Sequence, residues 1–223
     1  MEGSDPGSEP AVGPRADPGD GRADLQDGLR RTAVALSRAG IPFALVGGYA
    51  AWARGAPEPS HDADFVVAEV DVRAAMAAVA GAGLDVVEPA EDWLFKAYHH
   101  GALVDVLFRM VGEPVTHEMI ARSDVLEVLA VRMPVLDTTD VLSAKLRVLG
   151  EHFCDYTRLL PIARALREQV DWSRLEREVR GQPYARAFLS LLHELGVSPV
   201  GPEPRPDPAS GTASDPHGSL PHG

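Results

Sequence analysis

The chain has 223 residues, 45% of them hydrophobic and 24% charged, and a formal net charge of −12. These totals suit one folded unit with an ordinary core and exclude a fibrous or wholly disordered class, while the acidic balance argues against long, non-specific contact with a nucleic-acid backbone. The single cysteine, Cys154, allows no internal disulfide; no apolar run approaches the ~20 residues of a membrane span and no signal-peptide layout opens the chain, so a soluble, cytoplasmic protein is expected.

Met1 to Arg22 and Pro199 to Gly223 are rich in Gly, Pro, Ser and Asp and are expected as disordered tails. They carry −3 and −2 of the charge and leave −7 for the residues between. Leu25, Leu29, Ala33 and Leu36 recur at helical spacing, and Gly40 stops that helix. Pro42 to Val46 reads as a short buried strand, Gly47-Gly48 as a turn, Tyr49 to Arg54 as a short helix, and Gly55 to Ser60 as a loop. A second strand runs over Asp64 to Ala68. Asp71 is expected to cap a helix over Val72 to Ala82 that buries Val72, Ala75, Met76 and Val79. Leu84 to Val87 is strand-like, and Trp93–Tyr98 and Leu103–Arg109 flank a hairpin turn at His99-His100-Gly101-Ala102, which puts both histidines in solvent. Val125 to Val135 holds one or two short strands, with Pro134 suggesting an edge.

From Asp137-Thr138-Thr139, an N-cap cluster, the pattern turns helical: Val141–Leu149, Cys154–Gln169 with a kink expected at Pro161, Arg174–Arg180, and Tyr184–Leu195, opened by Pro183 and ended by Gly196. The domains expected are an α/β core over 23–136 and a helical region over 137–198. Between Arg158 and Arg186 there are seven arginines, no lysine and four acids, which reads as a solvated helical face.

In a strand, residues i and i+2 share a face, so Asp62 and Asp64 project together, at a spot where two like charges resist desolvation. Asp105, embedded in LVDVLF, needs a base, a strand end facing solvent, or a cation. Convergence of the three on a hard cation meets all three needs, and magnesium suits such oxygen ligands, shared with substrate phosphates. The Gly47-Gly48 turn and the helix after it offer backbone amides to an anion, so a nucleoside triphosphate is gripped between amides and metal.

The order of these elements, in Leu45 to Val67 and Leu103 to Phe108, resembles the minimal nucleotidyltransferase domain of the polymerase-beta superfamily, including small bacterial proteins related to the AbiEii-type toxins. The resemblance implies an α+β fold: a mixed sheet flanked by helices, followed by a C-terminal helical region. It implies a magnesium-dependent enzyme that moves a nucleoside monophosphate from an NTP such as ATP to an acceptor hydroxyl and releases pyrophosphate. In that scheme Gly47 and Gly48 bind the triphosphate, Asp62, Asp64 and Asp105 hold a pair of metal ions about 4 Å apart, and Asp105 helps to deprotonate the acceptor. Lys145, in SAKLRVLG, and Asp155, in HFCDYTRLL, match a lysine and an aspartate of the AbiEii-like relatives; Lys145 would neutralise phosphate and Asp155 orient the acceptor or that lysine.

Two positions depart from the family pattern. A serine common in the glycine turn is Gly48 here, and an Arg-Thr pair common before D-x-D is replaced by Glu58-Pro59-Ser60-His61, with Arg54 as a distant substitute for the arginine. His61 beside the acids suits hydrogen bonding better than magnesium. His152 and Cys154 face nearly opposite sides of a helix, which separates them as metal ligands. Trp52, Trp93 and Trp172 read as core or interface anchors, and Tyr156 is the aromatic to test for nucleotide stacking. The acceptor is open among a tRNA end, a protein and a small molecule such as an aminoglycoside, and an antitoxin is a candidate partner. Two alternatives stand beside this reading: a D-x-D glycosyltransferase, and a degenerate nucleotidyltransferase-fold binding module.

Overall fold

The computed structural model describes residues 18–199 and 201. The tails expected at 1–22 and 199–223 fall mostly outside the described residues; Pro18–Arg22, assigned to the first tail, belong to helix α1 (Pro18–Arg38). Leu25, Leu29, Ala33 and Leu36 form its buried stripe, and Gly40 closes it at φ 68°, where its amide reaches Ser37 O at 3.1 Å.

β1 (Phe43–Val46) is buried throughout and runs through the glycine turn into α2 (Gly47–Trp52). β2 (Asp62–Val67) starts two residues earlier than the sequence pattern suggests, so both aspartates lie inside the strand. After α3 (Val72–Gly81), which buries Ala75 and Val79, come β3 (Asp85–Val87), β4 (Leu94–His99) and β5 (Ala102–Leu107). Asp71 occupies the N-cap position of α3, as expected, but its carboxylate lies 2.6 Å from His117 Nε2 rather than on the helix amides. A small ribbon, β6 (Arg109–Met110) and β7 (Glu113–Pro114), and α4 (His117–Ala121) lead to the hairpin β8 (Asp124–Val128) and β9 (Val131–Val135).

The sheet order is β3-β4-β5-β2-β1-β9-β8, mixed in direction, with β2·β5 and β1·β9 parallel. β9 is therefore interior and β8 is the edge, which corrects the edge position expected for Pro134. The proline is tolerated because the ladder from β9 to β1 engages only at Val135, one residue beyond it.

α1 packs on one face of the sheet: a side chain at Gly28 would meet His99 Cβ at 3.2 Å and Val104 Cγ2 at 3.3 Å. By strand alternation Ala97, His99, Val104 and Val106 belong to this face, and Lys96 and Asp105 to the other. The helical half comprises α5 (Thr138–Arg147), α6 (Tyr156–Leu166), α7 (Trp172–Val179) and α8 (Pro183–Glu194). Asp137 caps α5 by accepting from the amides of Thr139 and Asp140, as the cluster there predicts, α6 runs through Pro161, and Pro183 opens α8. Leu142, Leu146, Leu166, Leu175 and Phe188 are fully buried and continue the core of the sheet.

Candidate active site

The register of the parallel pair β2·β5 sets Asp64 directly beside Asp105, and Asp62 follows two residues back on the same face. One carboxylate oxygen from each of the three lies within 4.8 Å of the others, a grouping able to hold a metal ion. Asp64 is the most deeply placed. Burial, then the charges of Asp62 and Asp105, push its carboxyl up to about 7, against weaker opposing effects from Lys145 and the Gly48 amide. Asp105 is raised mainly by burial, with Lys96 opposing and Asp62 and Glu91 adding to the shift, and its Oδ1 is buried with no hydrogen-bond partner. Three repelling carboxylates with an orphaned buried oxygen form an oxygen-donor set that a hard divalent cation would relieve, and their donor chemistry fits magnesium.

The glycine turn is shaped by this cluster. Gly47 has φ 65°, and a Cβ on it would stand 1.8 Å from Asp64 Oδ2, so the backbone touches the carboxylate where any side chain would displace it. The Gly48 backbone opposes the rise of the Asp64 carboxyl, and a Cβ at Gly48 would fall 2.8 Å from Pro59 Cβ. The departure from serine thus has a physical cause: the loop carrying Pro59 lies against the turn and leaves no space for a hydroxymethyl group. That loop is braced from α1, because Glu58 accepts from Arg22 and, at 2.8 Å, from Gln26 Nε2. Glu58 and Pro59, in the stretch ahead of Asp62, therefore hold the loop against the turn.

Lys145 comes to the cluster from α5. Burial lowers its pKa, and the charges of Asp64 and Asp62 act in the opposite direction. Lys96, which sequence reasoning missed, lies directly across β4·β5 from Asp105 and is the cation that offsets its charge.

Other expected site residues lie elsewhere. Arg54, expected as a distant substitute for the family arginine, is engaged elsewhere: its buried guanidinium reaches Asp124 Oδ2 at 2.9 Å and the carbonyls of Val135 and Leu136 at 3.2 and 3.0 Å, pinning the segment after α2 to the end of β9. Asp155 is the N-cap of α6, accepting from the Thr157 amide and hydroxyl and the Arg158 amide, and it pairs with Arg158 at 3.1 Å. Asp155→Ala is expected to lower the melting temperature modestly through loss of the cap; an unchanged melting temperature on thermal unfolding would contradict the capping role. Tyr156 is no stacking platform, since its hydroxyl donates to Tyr184 O at 2.6 Å and its ring packs 5.0 Å from Phe188. His99 is buried rather than solvent-exposed. Trp172 is buried, as expected of a core anchor, Trp52 is half-buried against Tyr49, and Trp93 is largely exposed. In the arginine-rich segment Arg158, Arg167 and Arg174 pair with Asp155, with Glu168, and with Asp137, Asp140 and Glu178 respectively.

No protein-family model matches the chain, and no curated protein matches its sequence. Among solved structures, the solution structure of the antibiotic-resistance factor ANT(2'')-Ia is similar at a TM-score of 0.55 and 15% identity, over 76% of this chain and 97% of that one. The crystal structure of ANT(2'')-Ia in complex with adenylyl-2''-tobramycin is similar at a TM-score of 0.52 and 16% identity, over 73% and 95%. These likenesses show the fold, which the chain shares with ANT(2'')-Ia: a mixed sheet flanked by helices, with a helical C-terminal region.

Proposed function

We propose that a chain with this fold and this carboxylate cluster is a magnesium-dependent nucleotidyltransferase that moves a nucleoside monophosphate from an NTP to the hydroxyl of a small molecule. The observation that carries the reading is the meeting of Asp62, Asp64 and Asp105 within 4.8 Å, against a glycine turn that a side chain would obstruct. Asp62, Asp64 and Asp105 are the residues that would hold magnesium, which when bound supplies charge neutralisation of the triphosphate and Lewis-acid polarisation at phosphorus. The acceptor oxygen forms a bond to the α-phosphorus, the bond from that phosphorus to the bridging oxygen breaks, and pyrophosphate leaves. Asp105, set directly beside Asp64 in the cluster, takes the acceptor proton. Lys145, held near Asp64 and Asp62, offsets negative charge on the phosphates.

Two features favour a small acceptor over tRNA. Arg158, Arg167 and Arg174 of the helical half are engaged with acids, and the surroundings of Asp105 include Glu91 and Asp62, which favour a hydroxylated cation over a polyanion. The likeness to ANT(2'')-Ia, whose crystal structure contains adenylyl-2''-tobramycin, supports the same class. An intracellular site of action and an antitoxin partner remain expectations, and the D-x-D glycosyltransferase reading loses its footing on this fold.

The test is incubation with each NTP, Mg2+ and a panel of aminoglycosides alongside tRNA, following pyrophosphate release and acceptor mass. Acceptor-dependent release that disappears in Asp105→Asn is expected. Nucleotide binding with magnesium but no release for any acceptor would favour the binding-module reading, which draws on glycine in place of serine in the turn and on the missing Arg-Thr pair.

A further inference from the structure

The hairpin tip between β4 and β5 gathers a second set of ligating groups on the α1 face of the sheet, across from the three aspartates. The turn is two residues long, His100 at φ 48° and Gly101 at φ 86°, and pairs His99 with Ala102. It brings His100 Nδ1 to 3.1 Å from Asp24 Oδ1 on α1. His99, one residue earlier, is buried, with Nε2 2.9 Å from Asp27 Oδ2 one helical turn along α1. The two rings stack at 4.2 Å. Ligand atoms of Asp24, His99 and His100 lie within 4.8 Å of one another.

We propose that Asp24, His99 and His100 form a binding site for a borderline-soft divalent cation of the zinc type, with Asp27 positioning His99. Two imidazoles and one carboxylate are a ligand set for zinc and its first-row neighbours rather than for magnesium. Asp27 gives the arrangement its direction. Its carboxylate also accepts from Arg31 Nε at 2.6 Å and Arg30 Nη2 at 3.2 Å, which fixes its position beside His99. At 2.9 Å it accepts from His99 Nε2, which leaves Nδ1 as the lone-pair nitrogen; a carboxylate behind a ligating histidine is the usual companion of such sites. His100 is exposed, so its ring is free to turn onto an ion shared with His99. Gly28 permits the approach, since a Cβ there would crowd His99 Cβ at 3.2 Å. A bound ion would tie α1 to the hairpin whose β5 carries Asp105, and the site depends on none of the functional reading above.

The test is calorimetric titration of the full-length protein with Zn2+ in excess Mg2+, with His217 and His222 replaced by Asn to remove competing imidazoles from the C-terminal tail. One zinc per chain is expected, with Co2+ giving the visible absorption of a low-symmetry site. His100→Asn, which tolerates a positive φ, and Asp24→Asn are each expected to weaken binding by at least about a hundredfold, and Asp27→Asn by about 10–100-fold. Asp64→Asn is expected to leave zinc binding unchanged. The proposal is overturned if no stoichiometric zinc binds, if His100→Asn and Asp24→Asn bind as tightly as the parent, or if Asp64→Asn removes the binding.

Discussion

Asp64→Asn is expected to lower nucleotidyl transfer by at least about a thousandfold and at the same time to make the metal-free protein more stable near pH 7. The first effect follows from loss of a charged ligand, because the electrostatic stabilisation it supports amounts to several kcal/mol in the transition state. The second follows from the cost of keeping that charge buried. The carboxyl is pushed from 3.8 up to about 7 in the folded protein, first by burial and then by Asp62 and Asp105. Between about pH 4 and pH 7 the native state therefore retains a proton that the unfolded chain has released. Stability of the metal-free wild type falls as pH rises through that window, by up to about 4 kcal/mol, and is level above it. The Asp64→Asn variant loses this slope. Chemical denaturation at several pH values checks it: converging curves near about pH 4 that separate toward about pH 7 are expected, and parallel curves would contradict the account. Adding Mg2+ near neutral pH should restore stability to the wild type, by about 2.7 kcal/mol at a hundredfold excess over Kd, and not to the variant.

Gly47→Ala is expected to abolish transfer and to destabilise the fold by about 3 kcal/mol or more. A left-handed alanine costs about 1–2 kcal/mol, and overpacking a rigid site adds about 1–3 kcal/mol. The Cβ would stand 1.8 Å from Asp64 Oδ2 and 2.9 Å from Asp64 Cβ, so the carboxylate must leave the cluster. Gly40→Ala is the control. Gly40 has the same hand, φ 68°, but nothing lies within 4 Å of a Cβ there, so only the backbone strain applies and transfer is retained. Thermal unfolding and pyrophosphate release on both variants separate the two terms; equal behaviour would mean that contact between turn and carboxylate has no role.

The central cluster is legible in the sequence because it rests on local periodicity. Strand alternation puts Asp62 and Asp64 on one face, and an acid among Leu103, Val104, Val106 and Leu107 calls for a partner. Lys96 is legible by a longer step. In a two-residue hairpin each step back from the turn meets one step forward, so a pairing of His99 with Ala102 fixes Lys96 opposite Asp105. The same turn carries His99 to the face covered by α1, which no local pattern announces. Arg54 is not readable from its surroundings in the chain. Its partners are the ends of β8 and β9, and β9 takes its place beside β1 only through a parallel pairing about 90 residues away in sequence. Asp155 has the residue type expected of a site and the spacing of an N-cap; its bonds to the Thr157 and Arg158 amides are those of the cap.

The account depends most on the three aspartates acting as one cation site beneath a nucleotide. Titration of Mn2+ with ATP into the wild-type protein and Asp64→Asn, read by electron paramagnetic resonance of free Mn2+, tests it most directly. The account predicts nucleotide-dependent uptake of Mn2+ by the wild type and a loss of at least about a hundredfold in affinity in the variant, with the variant still folded. Equal uptake by the two proteins, or none by the wild type, would contradict it.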